Sequence, residues 1–355
     1  MALHRVIQPP KARPGDRVAV VSPAWAAPAH FPAIHEQAMR RLTELTDLVP
    51  VEYPTTRRAD ASPADRAADL MAAFTDPSIR AVLATIGGDD QILVIPHLDP
   101  AAVIDDPKPF VGHSDNTNLH NWLWTNGVAS FYGGSTQVHL GAGPAVDDVH
   151  ARSLRAALLD GGELEVVDPG ESEDVGVPWE DPRSLTDAVP REPTEPWIWA
   201  GASTPVSGPT WGGCLEVIDQ ILVADRFPFP PEALEGSVLL IETSELLPPA
   251  DWVARIVRAM GERGLLDPLA AVVAARPPTS SHEEVPPAAE RNVRRSAQRD
   301  AILAEVARYN PDAVVCVGPP FGHTRPQWIL PHGGVMSLDP TTRSITADYG
   351  PVAGE

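Results

Sequence analysis

Cysteine is nearly missing from this chain: among 355 residues there are two, Cys214 and Cys316, far apart and outside any C-x-x-C or Cys/His ligand spacing. A disulfide framework and a thiolate metal site are therefore not what organises the fold, and both side chains read as buried reduced thiols. Positive charge is scarce too. Lys and Arg number 27 against 48 Asp and Glu, a formal net charge of -21. That balance argues against nucleic acid or an anionic membrane as the main partner, because both recruit clustered cations. A small anionic ligand stays compatible with it. No stretch approaches the roughly 20 apolar residues of a membrane span. The alanine-rich run after Arg17 has a faint signal-peptide look, but Ser22 and Pro23 interrupt it within a few residues. A first buried strand from Arg17 to Val21 followed by a turn is the expectation, and with it a cytoplasmic protein.

What is present is the composition of a globular protein, 43% hydrophobic and 21% charged. The length exceeds what one core usually holds, so two domains are expected. The first half alternates strand-like and helix-like patterns. Ile34, Ala38, Met39, Leu42 and Leu45 share one helical face, and Ser62-Pro-Ala-Asp65 reads as a capped helix start. Ile79 to Ile86 is a nearly continuous apolar run, the mark of a strand covered on both faces, and it empties into Gly87-Gly88-Asp89-Asp90. A helix to about Leu98 should follow. This β-α-β alternation predicts a parallel sheet with ligands at the carboxyl ends of its strands.

Within that frame the stretch Pro109-Phe-Val-Gly-His-Ser-Asp-Asn-Thr117 stands out. Phe110 and Val111 close a strand, Gly112 permits a tight turn, and Asp115 to Asn126 reads as a helix with Leu119, Trp122 and Leu123 inward. Ser114 then sits at a strand-to-helix turn, exposed, with helix N–H groups behind it. It is the candidate nucleophile, with the N–H of Asp115 as first oxyanion donor and that of Gly88 as second. The second glycine of a G-x-S-x-G elbow is Asn116 here, and a serine that merely caps a helix is the plain alternative.

From Gly161 to about Pro209 acidic residues and prolines dominate with little periodicity, so a linker or long loop is expected. Its Trp179, Trp197 and Trp199 either pack the loop onto the body or stack on a planar ligand. The chain is accordingly divided into residues 1–165, a linker and active-site loop at 166–209, and residues 210–355. In the last part, Ser237 to Ile241 reads as a strand ending at Glu242-Thr-Ser-Glu245, and Asp312 to Val317 as a strand delivering Gly318-Pro-Pro-Phe-Gly-His323. Glu242 and His323 are the candidate orienting carboxylate and base, in the chain order Ser, Glu, His. His113, His120 and His332 are rivals, and spacing alone leaves His332 open.

Five ordered blocks resemble one family. Thr85-Ile-Gly-Gly-Asp-Asp90, the Ser114 stretch, Trp211-Gly-Gly-Cys-Leu215, Leu239-Leu-Ile-Glu-Thr-Ser-Glu245 and Phe321-Gly-His-Thr-Arg-Pro326 with Leu330-Pro-His-Gly333 look like the LD-carboxypeptidase family of serine peptidases. Within it the resemblance is to the microcin C immunity branch. It implies an N-terminal Rossmann-like α/β domain with a nucleophile elbow and a C-terminal α/β domain of swivelling type. It also implies a catalytic triad Ser114, Glu242 and His323, an oxyanion hole at Gly88 and Asp115, no metal or organic cofactor, and a homodimer. The Gly-Gly-Asp89-Asp90 form resembles that branch, whose substrate is an aminoacyl or peptidyl group joined to a nucleotide-like adenylate, and Trp179 takes the place of its stacking aromatic. Asp89, Trp179 and His332 are the further candidate substrate-binding residues. Cys214 stands where the family usually has asparagine. An LD-carboxypeptidase acting on a murein tetrapeptide is the alternative, and a non-catalytic ligand-binding homologue is the second.

Overall fold

The structure, a computed structural model, describes residues 6–352. Five strands of the first half, β1 (Arg17–Val21), β2 (Val49–Glu52), β3 (Ile79–Ala84), β4 (Phe110–Gly112) and β5 (Ser130–Tyr132), lie parallel in the order β5-β4-β3-β1-β2. Alternate residues of β1 and β3 serve two different cores. Val18, Val20, Ala81 and Leu83 face one cluster, whereas Ala19, Val21, Val82 and Ala84 face the other. Burial on both faces explains why these strands read as continuous apolar runs. The expected cap is in place: the Asp65 N–H donates to the Ser62 hydroxyl at 3.1 Å, with Pro63 opening the helix Pro63–Thr75.

The second sheet has eight strands. It comprises β6 (Glu163–Val166), β9 (Ile198–Gly201), β10 (Val206–Cys214), β11 (Val238–Glu242), β12 (Ala271–Ala274), β13 (Val314–Val317), β15 (Val335–Asp339) and β16 (Ser344–Asp348). A short pair, β7 (Glu171–Ser172) with β8 (Glu192–Pro193), stands apart. The central strands β10 to β13 are parallel, flanked by antiparallel β9 on one side and β15, β16 and β6 on the other. The remaining strand, β14 (Leu330–His332), crosses back and pairs antiparallel with β5 at the edge of the first sheet. One hydrophobic cluster, containing Val18 and Tyr132 as well as Val238 and Val314, runs through both sheets. Each Val or Leu buried there contributes about 1.5–3 kcal/mol, so the shared cluster ties the two sheets together.

Two local expectations change. Residues after Asp90 form two single 3-10 turns, Gln91–Leu93 and Ile95–His97, instead of one helix. Pro96 removes a donor and fixes its own φ, which suits a short turn. The acidic segment is also more ordered than its composition indicates, since β9 lies inside it as an edge strand. Its residues are half-buried or exposed, so it carries no period-two apolar pattern to read.

Candidate functional site

The carboxyl ends of β3 and β4 meet those of β10, β11 and β13 at the junction of the two sheets. Ser114 follows β4 and has φ 62°, a left-handed conformation that a serine adopts only when its surroundings impose it. Those surroundings are visible. Asn116 Nδ2 donates to Ile86 O at 3.1 Å and to His113 O at 2.9 Å. Gln91 donates through its N–H to Asp115 Oδ2 and through Nε2 to Asn116 Oδ1, each at 2.9 Å. The Gly87-Gly88 turn thereby closes on the elbow: a Cβ at Gly87 would lie 2.8 Å from Ser114 Oγ and 3.2 Å from Asp115 N. Only glycine leaves that space open. Burial pushes the Asp115 carboxyl up to about 6, against the lowering effect of the Gln91 N–H.

From the second sheet, Glu242 ends β11 and His323 follows β13. His323 Nδ1 donates to Glu242 Oε2 at 2.6 Å, and the carboxylate side chain is fully buried. Gly322 packs its backbone on that carboxylate, since a Cβ there would sit 2.8 Å from Oε2. His323 Nε2 lies 3.2 Å from Glu245 Oε2, on a half-exposed carboxylate. Burial pulls the His323 imidazole down, but the Glu242 and Glu245 carboxylates outweigh it and raise the pKa to about 9. Glu242 in turn is held below the usual carboxylate range, with burial opposed by His323 and by the Tyr132 hydroxyl.

One cleft of about 880 Å³ collects most of the candidates: Gly88, Asp89, Ser114, Asp115, Trp179 and His323 all line it. Glu242 stands behind His323. His332 is not brought there; it lies in β14, fully buried, with its ring 5.4 Å from that of His120, and burial lowers its pKa to about 4. Trp179 stacks on Trp25 at 6.4 Å between centroids and 12° between planes, and Phe31 meets Trp179 edge-on at 5.3 Å. Sequence reasoning missed Trp25, Phe31 and Tyr132. The turn at Ser22-Pro23 was the available signal for Trp25, because it marks another strand end on the same sheet edge. Among the described residues no group of three or more His, Cys, Asp and Glu is arranged to hold a metal ion, and no helix is long and apolar enough to cross a membrane.

A mixed α/β fold with a serine elbow on one sheet and a buried Glu–His pair on the other defines the class to which this chain belongs. Residues 18–133 match the family model for the LD-carboxypeptidase N-terminal domain and residues 207–338 that for the C-terminal domain. The chain belongs to the LD-carboxypeptidase family, a family of peptidases. It is 26% identical to the microcin C7 self-immunity protein MccF of Escherichia coli over 290 residues, 80% of this chain and 79% of that one. It is 28% identical to a candidate carboxypeptidase of Vibrio cholerae over 65% of this chain and 68% of the relative. The solved structure of MccF with glutamyl sulfamoyl guanosine superposes with a TM-score of 0.82 at 20% identity, covering 98% of this chain and 99% of that one. At that identity the likeness speaks for the fold.

Proposed function

We propose that this protein is a serine amide hydrolase whose substrate is an aminoacyl or peptidyl group joined by an amide to a nucleotide-like moiety. The observation that carries the proposal is the make-up of the cleft, which Ser114, His323 and the stacked Trp25–Trp179 pair all line. His323, oriented by Glu242, takes the Ser114 proton as the hydroxyl oxygen attacks the carbonyl. The N–H groups of Gly88 and Asp115 receive the oxyanion. His323 then protonates the leaving amine and activates water against the acyl-enzyme.

The charges of the cleft favour this substrate over a murein tetrapeptide. Each arginine that lines it already holds a carboxylate: Arg58 with Asp65, Arg66 with Asp90, and Arg325 with Asp147. Glu216 and Glu245 line it near His323 with no lysine or arginine partner among the described residues. The terminal carboxylate of a tetrapeptide thus meets no unpaired lysine or arginine among the described residues of the lining, whereas an aminoacyl group amide-linked to a nucleoside has no such carboxyl terminus. MccF structures with glutamyl sulfamoyl guanosine and aspartyl sulfamoyl adenosine supply the ligand class to try. Mass spectrometry of an aminoacyl sulfamoyl adenosine and a murein tetrapeptide, each incubated with the protein and with Ser114→Ala, tests the reading. Ser114-dependent cleavage of the adenosine compound alone is the expected result. Cleavage of the tetrapeptide alone would transfer the protein to the carboxypeptidase reading, and cleavage of neither would favour a ligand-binding homologue.

A further inference from the structure

Tyr132 has no place in the proposed triad, yet its side chain hydrogen-bonds to both halves of it. It ends β5 of the first sheet and is fully buried. Its hydroxyl accepts the Ser114 backbone N–H at 3.2 Å and donates to Glu242 Oε1 at 2.6 Å. Glu242 thus spends one carboxylate oxygen on Tyr132 and the other on His323. Thr117 adds a parallel tie, since its hydroxyl donates to Ser114 O at 2.7 Å and accepts the Cys214 N–H of β10 at 3.0 Å. The strained Ser114 backbone and the Glu242 carboxylate, carried by different sheets, therefore share one hydroxyl group.

We infer that Tyr132 is a positioning residue which fixes the Ser114 elbow against the Glu242–His323 pair and sets how strongly Glu242 pulls on the His323 proton. The inference rests on the proposed hydrolase reading but concerns a residue that reading does not use. A donor on Oε1 shares the carboxylate charge, so Glu242 attracts the imidazolium less than a carboxylate bonded to His323 alone would. Other groups facing the pair are Glu245 from the loop after β11, Glu216 and Cys214 from the end of β10 and its helix, and His113 from the elbow. None of them donates a hydrogen bond to Oε1.

The test is Tyr132→Phe, which keeps the ring in the core and removes the hydroxyl. The Ser114 N–H and one Glu242 oxygen then lose their partner, and hydrogen bonds to charged groups are worth about 10- to 100-fold in an equilibrium or rate. A fall of that size in kcat with KM little changed is expected, together with a His323 titration shifted to higher pH. NMR of the labelled imidazole in the unliganded protein reads the titration without any substrate, so this inference stands or falls separately from the choice of substrate. An unchanged titration overturns it, whether kcat holds or falls in step with thermal stability, because a purely structural tyrosine would leave the imidazole alone. A protein that cleaves neither test substrate but whose His323 titration still shifts on Tyr132→Phe would keep the inference and isolate the fault in the substrate assignment.

Discussion

The floor and the rim of the cleft are built differently. On the floor, Ser114, Tyr132, Glu242 and His323 sit at or just past the ends of short buried strands and are joined by hydrogen bonds of 2.6 to 3.2 Å. At the rim, Trp25, Trp179 and Glu245 ride on connecting segments, and Trp25 is 40% exposed. A strand end holds a reacting atom in place, whereas a loop adapts to whatever enters. The difference teaches which changes should abolish chemistry and which should only move affinity or pH response.

The largest effect belongs to the floor. If the proposed triad holds, Ser114→Ala should lower turnover of the proposed aminoacyl sulfamoyl substrate by about four to six orders of magnitude, because the members of a triad act as a unit. Thermal stability should change little, and full turnover by that protein would erase the distinction between floor and rim. Glu242→Gln is expected to fall next, by about two to four orders in kcat. Its amide can still accept from Tyr132 or His323 but cannot stabilise the imidazolium, so stopped-time assays above and below pH 7 should both show the loss.

Much of the floor was readable before any coordinates. Phe110-Val111 before Gly112, Ser237 to Ile241 and Asp312 to Val317 are apolar stretches ended by glycine or acidic residues, so Ser114, Glu242 and His323 could each be placed past a strand end. Tyr132 could not, because a three-residue strand is too short to show a period. The rim was legible only in part. Trp179 stood out as a tryptophan in a polar stretch, but its partner Trp25 is more than 150 residues away in sequence, and only the fold brings the two rings into a stack. The sequence suggests that His332 sits near the pocket, whereas β14 carries it, fully buried, into the edge of the first sheet beside β5.

At the rim, Trp179→Ala should raise KM for the proposed nucleotide-linked substrate about 10- to 100-fold while kcat stays near its original value, since stacking on a base contributes about 1–3 kcal/mol. Trp179→Phe should lose less. A drop in kcat with unchanged KM would mean that the loop serves the floor, and the comparison would have to be redrawn.

Glu245→Gln is the smallest change and the finest probe of the boundary, because this rim residue reaches the floor through His323 Nε2. On the proposed reading His323 is the base and acts only when neutral, and the neighbouring Glu242 and Glu245 carboxylates raise its pKa to about 9. Removing the Glu245 charge lowers the pKa, so the acid limb of the kcat/KM profile should move to lower pH. Activity at pH 7 should rise by about two- to fivefold, the worth of an exposed ion pair. Stability runs the other way. A histidine whose folded pKa is raised above 6.5 contributes stability that is present below pH 6.5 and lost as pH rises through about 9. The variant should therefore lose a little thermal stability at pH 6 and almost none at pH 10, as scanning calorimetry at the two pH values would read. A pH profile that stays where it was would show that Glu245 turns away from His323 once substrate is bound, leaving Glu242 and Tyr132 to set the basicity of the site.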